Sequence, residues 1–157
     1  MKKIKTNAAR LLDREKVNYE LTFYEVDETD LSAVHLAETI NESIDRIFKT
    51  LVLEGDKTGH LVCIIPGGEE LNLKKVAKVS NNKKVEMIPM KSLLPLTGYI
   101  RGACSPIGMK KHFPTYIDEA CLNFDTIYVS AGQRGVQLKL NPKELIKVIK
   151  AEVCSLI

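Results

Sequence analysis

The sequence predicts a mixed sheet packed with helices, of the α/β or α+β class. Helix-like and strand-like segments alternate along the chain without a regular strand–helix–strand repeat. The 157 residues, 45% of them hydrophobic, suffice for one sizeable core but not for two independent domains. We therefore expect residues 1–157 to form a single domain.

The first third of the chain predicts two helices and one strand. Residues 6–16 carry apolar side chains at helical spacing, and residues 19–24 alternate in the manner of a half-buried strand. Ser32 is a suitable N-cap for a short helix that ends near Ile40.

The middle of the chain predicts a hairpin followed by shorter elements. Strands at 47–53 and 61–65 flank a turn around 55–59. Asn72 can cap the next helix. A short strand at 85–87 and a helix at 89–94 complete this region.

The C-terminal part predicts a second hairpin and a final helix. Strands at 127–129 and 136–140 surround a glycine-containing turn. Asn141 is a suitable N-cap, and Pro142 fits the first helical position. The apolar stripe of this helix comprises Leu145, Val148, Ile149 and Val153.

Charge and cysteine content narrow the function classes. A formal charge of +3 permits contact with a polyanion without requiring one, and lysine clusters at 74–84 and 110–111 are typical of solvated faces. The four cysteines are scattered, so we expect free thiols and neither a metal nor a cofactor. No segment has the length and apolarity of a membrane span or a signal core, which predicts a cytoplasmic protein without membrane contact.

Two features could form a binding site. Lys49 interrupts an apolar strand; it either points to solvent or faces a cleft, where its charge would bind a phosphate or orient an ester. Gly98, Gly102 and Gly108 lie in a segment that lacks the Lys-Ser/Thr pair of a nucleotide-binding loop. Its backbone amides could bind a carbonyl oxygen, although from the residues alone an ordinary turn is the favoured explanation of the segment.

Six segments together resemble the YbaK/EbsC family in order and spacing, over nearly the whole chain. They are FKTL at 48–51, LKKVA at 73–77, KKVEM at 83–87, TGY at 97–99, GACSPIG at 102–108 and IYVSAG at 127–132. The resemblance implies a mixed, barrel-like sheet surrounded by helices, akin to the editing domain of prolyl-tRNA synthetases. It also implies hydrolysis of mischarged tRNA, chiefly Cys-tRNA(Pro).

The resemblance also implies a site. Lys49 and Gly102 match its functional lysine and glycine, and in the mechanism it implies the substrate's own thiol attacks its ester, so that no protein nucleophile is required. Gln137 follows an Arg-Gly-Val segment where relatives often carry an acid, which removes a charge partner. The residues expected to bind substrate are Tyr24, Phe48, Thr50, Ala103, Cys104, Ser105, Pro106, Ser130, Gly132 and Gln137.

Other readings stay open at this stage. A related enzyme could clear alanine or another small residue from tRNA, and a non-catalytic RNA-binding or regulatory module could share the fold. The expected partners are the tRNA 3′ end and, in a transient complex, prolyl-tRNA synthetase. The protein itself is expected to be a monomer or a homodimer.

Overall fold

The computed structural model describes residues 5–157. In chain order its elements are α1 (Asn7–Arg14), β1 (Tyr19–Phe23), α2 (Ala33–Thr39), β2 (Phe48–Gly55), β3 (Gly59–Pro66), α3 (Leu73–Val79), β4 (Val85–Met87), α4 (Leu93–Thr97), β5 (Thr115–Asp118), β6 (Ile127–Ser130), β7 (Val136–Leu140), α5 (Pro142–Ile149) and β8 (Glu152–Cys154). Short 3₁₀ turns at Ile44–Arg46, Met90–Ser92 and Glu119–Asn123 connect them.

The strands form two sheets. The smaller is antiparallel, with the order β1-β7-β6. The larger has the order β4-β2-β3-β5-β8; it is antiparallel from β4 to β3 and parallel from β3 to β8. A single bridge between Ile47 and Tyr128 joins the sheets. The mixed α/β class is thus confirmed, but the strands are divided between two sheets instead of one barrel-like sheet.

Three apolar clusters fix the layers. The largest buries α1 and α5 together with side chains of both sheets, among them Phe48, Val62 and Leu138. The opposite face of the larger sheet packs against α3 through Leu53, Ile65 and neighbouring residues. The third cluster places α2 over Ile47 and Tyr128, on the outer face of the smaller sheet. Helices α1, α2, α3 and α5 thus cover sheet faces through their apolar residues, as the sequence pattern requires.

The sequence missed two strands, and it extended the last helix too far. Helix α5 ends at Lys150, which adopts a left-handed conformation with φ 55° and so provides no glycine signal for the helix end. Val153, assigned above to the helical stripe, therefore lies in β8 and pairs with Ile117 of β5. Both missed strands are only three or four residues long and pair in parallel with distant segments, and neither feature leaves a local pattern in the sequence.

Asp118 connects these late elements. Its side chain is 2% exposed, and its two oxygens accept hydrogen bonds from the backbone amides of Ala120 (3.0 Å) and Leu156 (2.8 Å). One carboxylate thus fixes both the turn after β5 and the C-terminal segment.

We predict that Asp118→Ala lowers the free energy of unfolding by about 2–4 kcal/mol, because two backbone amides, one of them fully buried, lose their acceptor. Urea unfolding followed by circular dichroism measures this loss. Asp125→Ala, an exposed position without a side-chain hydrogen bond, is the matched control and should change stability little. Equal effects of the two substitutions would contradict the role given to Asp118.

Candidate functional site

A cleft of about 410 Å³ lies between the two sheets and is larger than two other cavities, of about 200 and 40 Å³. Its volume falls in the range typical of small-ligand sites. Its walls come from residues 31–36 around the start of α2, residues 47–52 of β2, the segment 87–93 and the loop at 101–104, with Ser130 and Gln137 from the smaller sheet.

The cleft exists because one edge of β2 is open. Strand β3 pairs with β2 along its whole length, whereas β4 covers only residues 53–55 on the other side. The last contact there is the hydrogen bond from Ile88 N to Val52 O, at 3.3 Å. Beyond it, the first half of β2 presents side chains and backbone to the cleft.

Lys49 lies on this open half and lines the cleft. Its side chain is half-buried and makes no hydrogen bond or ion pair within residues 5–157. Among residues 5–157, Arg101 provides the only other charged side chain of the cleft wall, and no carboxylate from these residues lines the cleft. The cleft therefore carries two uncompensated formal positive charges, which favour a ligand with anionic or electron-rich groups.

The loop after α4 provides one side of the cleft through Gly102 and Cys104. The amide of Ala103 is occupied, since it donates to Ile100 O at 3.0 Å. The amides of Gly102 and Cys104 have no acceptor within the described residues. The amides of Gly102 and Cys104, but not that of Ala103, are thus free to bind an oxygen atom of a ligand.

The conformation of the loop depends on Gly102. Its φ of +81° belongs to the left-handed region, and a Cβ there would lie 3.3 Å from Leu31 Cδ1 and 3.4 Å from Arg134 Nε. Arg134 holds the loop from the other side: its Nε donates to Arg101 O at 2.9 Å, and its Nη1 lies 3.2 Å from Glu28 Oε2. Arg134 and Arg101 were not among the predicted site residues, because no local pattern in the sequence distinguishes them from ordinary surface arginines.

The predicted residues divide into those in the cleft and those beneath or beside it. Ser105 is fully buried, and its hydroxyl accepts from Ile107 N. Gly132 packs under the ring of Tyr99, where a Cβ would lie 2.8 Å from the ring. The remaining assignments are as follows: Phe48, Lys49, Thr50, Gly102, Cys104, Ser130 and Gln137 line the cleft; Tyr24 lines a small adjoining pocket that shares Gly102; Ala103 is buried; and Pro106 faces a separate cavity of about 200 Å³.

Cys104 is the only thiol in the cleft wall. Burial raises its pKa to about 12, so the group stays protonated near neutral pH. Cys63, 0% exposed, has its pKa raised to about 12 in the same way, as expected for an inert core thiol. The cleft therefore provides no activated cysteine nucleophile.

Within residues 5–157, no group of three or more His, Cys, Asp or Glu side chains is placed to share a metal ion. None of the helices described there has the length and apolarity to cross a membrane.

Comparisons with known proteins agree with one another. Residues 28–148 match the family model of the aminoacyl-tRNA editing domain. The chain is 50% identical, over 94% of its length and 90% of the relative, to EbsC of Enterococcus faecalis, named as a candidate Cys-tRNA(Pro)/Cys-tRNA(Cys) deacylase. It is 27% identical to proline–tRNA ligase of Thermosipho melanesiensis, over 60% of this chain and 19% of that enzyme.

The same fold occurs in a crystal structure described as a candidate trans-editing enzyme for prolyl-tRNA synthetase. The TM-score is 0.80 at 23% identity, and the match covers 96% of this chain and 97% of that one.

The raised thiol pKa values predict slow reaction with a thiol reagent. Burial raises the pKa of Cys121 and Cys154 to about 11, so at pH 8 only about one in a thousand of these thiols, and fewer at Cys63 and Cys104, is a thiolate. We expect Ellman's reagent to modify the folded protein much more slowly than the protein unfolded in guanidinium. A fast-reacting thiol in the folded protein that disappears in Cys104→Ser would contradict this assignment.

Proposed function

Because the chain belongs to the aminoacyl-tRNA editing domain family, we propose that it is an editing hydrolase that removes cysteine from mischarged proline tRNA. The observation that supports this most directly is Lys49, half-buried and unpaired in a cleft without carboxylates. Such a site suits the 3′ end of an aminoacyl-tRNA, in which an ester carbonyl lies beside phosphate and ribose oxygens.

The reaction we propose uses the thiol of the substrate. The cysteinyl sulfur, as a thiolate, attacks its own ester carbonyl; a carbon–sulfur bond forms, the bond from that carbon to the ribose oxygen breaks, and the ribose oxygen takes up a proton. The resulting four-membered thiolactone then reacts with water to give cysteine. The positive charges of Lys49 and Arg101 favour the thiolate over the thiol.

The protein's part in this reaction is to orient and to stabilise. Lys49 holds the ester end of the substrate in the cleft, which restricts the substrate to conformations in which its thiol lies close to its own carbonyl carbon. The free amides of Gly102 and Cys104 are suited to accept the negative charge that develops on the carbonyl oxygen. The protonated Cys104 takes no part as a nucleophile, which is consistent with a thiol supplied by the substrate.

This mechanism also provides specificity. A binding pocket discriminates between small side chains by only about 1–3 kcal/mol. If the reaction requires the thiol of the substrate, alanine and proline esters survive because they lack the attacking group, whether or not they enter the cleft. Correctly charged proline tRNA is then not hydrolysed because proline has no thiol, and exclusion from the cleft is not required.

The remaining parts of the proposal concern partners and location. Since a similar segment is part of a proline–tRNA ligase, we propose that residues 1–157 act as one domain, as a monomer or homodimer, in a transient complex with that kind of enzyme. The exposed lysine clusters would add contacts to the tRNA backbone. Because its substrate would be charged tRNA, we propose that the protein acts in the cytoplasm.

We predict that Lys49→Ala lowers the rate of cysteine release from Cys-tRNA(Pro) by about 100-fold or more, because the positioning charge is lost. The measurement uses proline tRNA charged separately with cysteine, alanine and proline. Lys147→Ala removes an exposed lysine of α5 as a matched control and should retain full activity.

The outcomes separate the possible functions. Lysine-dependent release of cysteine alone supports the proposal. Preferential release of alanine would assign the protein to a different specificity, and the absence of release from any of the three tRNAs would favour a non-catalytic RNA-binding module.

We predict that Gly102→Ala lowers activity beyond its effect on stability. The matched control is Gly59→Ala at the start of β3: its φ of +78° is nearly the same, but a Cβ there meets no atom within 4 Å. Both variants should lose about 1–2 kcal/mol of unfolding free energy from the left-handed conformation. Only Gly102→Ala should also lose deacylation, measured at a temperature where both variants are folded; equal activities would remove Gly102 from the site.

A further inference from the structure

Two buried side-chain oxygens lack a hydrogen-bond partner within residues 5–157, and both belong to the cleft. They are Thr50 Oγ1 on β2 and Gln137 Oε1 on β7. The two strands belong to different sheets, so the oxygens approach the cleft from its two sides.

Gln137 is exceptional among the buried polar side chains. The others in the described part of the chain all form side-chain hydrogen bonds: they are Ser80, Asn82, Thr97, Ser105, Thr115 and Asp118. Gln137 is as buried as these, at 3% exposure, yet makes none. A hydrogen-bond acceptor that is shielded from water and has no partner lowers the stability of the free protein. We therefore expect its partner to come from outside the chain.

The position of Gln137 explains how it became buried. On β7 it alternates with Val136 and Leu138, which face the main core, and so it lies on the opposite face of the smaller sheet. That face is covered by α2 through the cluster around Tyr128, and Gln137 pairs in register with Ser130, itself in the cleft wall. The strand therefore presents a single amide side chain to the cleft.

The two acceptors call for a ligand group with at least two donors close to the ester. Thr50 follows Lys49 on β2 and, like Lys49, lines the cleft, although successive side chains leave a strand in opposite directions. In an aminoacyl ester, the group next to the carbonyl that carries several donors is the α-amino group. Its neutral form has two N–H bonds, which matches two acceptors in a cleft that holds two cations and no carboxylate.

On the basis of the proposed function, we infer that Gln137 Oε1 and Thr50 Oγ1 form a subsite for the α-amino group of the aminoacyl-tRNA. Each oxygen accepts one N–H of the substrate. This subsite orients Cα, and with it directs the thiol-bearing side chain and the carbonyl relative to Lys49 and Gly102. Gln137 and Thr50 are thus positioning residues for the reaction.

The test compares cysteinyl-tRNA(Pro) with 3-mercaptopropionyl-tRNA(Pro), which retains the thiol and the ester but lacks the amino group. Rates are divided by the uncatalysed hydrolysis of each ester. We expect the wild-type protein to prefer the cysteinyl ester by about 10- to 100-fold, the range typical for leaving buried acceptors unpaired. Gln137→Leu and Thr50→Val should each lose most of this preference by slowing the cysteinyl reaction alone.

Two further measurements exclude a merely structural effect. Gln137→Leu should unfold at the same or a higher urea concentration than the wild type, because it removes an unpaired buried acceptor. Gln133→Leu, at an exposed position in the adjacent turn, is the matched control and should keep the wild-type substrate preference. If Gln137→Leu slows both esters equally, the α-amino assignment is wrong while the proposed deacylation stands.

Binding provides a readout that does not require turnover. The probes are the 3′-amide analogues of cysteinyl- and 3-mercaptopropionyl-adenosine, which cannot be hydrolysed as esters. Tighter binding of the cysteinyl analogue by the wild type, with loss of the difference in Gln137→Leu, would support the subsite even if no tRNA were deacylated. Equal binding of the two analogues, or no binding of either, would overturn it.

Discussion

The structure depends on one unequal pairing: β2 is hydrogen-bonded along its full length to β3 but only at its last three residues to β4. The covered end is anchored in the apolar layer under α3, and the bridge from Ile47 to Tyr128 ties the start of the strand to the other sheet. Between these two attachments the edge of the strand stays open. An exposed strand edge invites unwanted pairing, and here α2 and the loop at 101–104 surround it and so convert the open edge into a cleft.

The backbone of the loop beside the cleft is held by hydrogen bonds, whereas the lysine that lines the cleft has no partner among residues 5–157. Arg134 fixes the loop through Arg101 O and Glu28, and Gly102 allows the chain to turn without a side chain between them. Lys49, by contrast, has no partner in the described chain. Preorganised amides and an uncompensated charge are what electrostatic catalysis requires, because no reorganisation is then needed as charge develops.

Much of the fold was accessible from local patterns, since the two hairpins, the caps at Ser32, Asn72 and Asn141, and most elements follow from alternation and capping chemistry. Strand β8 could not be predicted in this way. Lys150 follows α5 in a conformation that usually requires glycine, and β8 pairs in parallel with β5, which is distant in the chain. The site divides in the same way. Resemblance indicated Lys49 and the Gly102 loop, but only the tertiary structure separates the cleft residues from Ser105 and Gly132, which support the loop from beneath.

Gln137 shows why local sequence patterns could not identify every residue of the cleft. The sequence of β7 alternates apolar and polar residues, a pattern that normally places the polar ones in water. Burial of this glutamine depends on α2, which is remote in the chain, so no local pattern could reveal it. Asp118 and Asn82 show that buried polar groups in this fold have hydrogen-bond partners where they serve stability alone. The side chain of each accepts hydrogen bonds from two backbone amides. An equally buried group left without a partner in the cleft is therefore better explained by a ligand than by a packing defect, and a polar residue at that position stabilises the bound state at the expense of the free one.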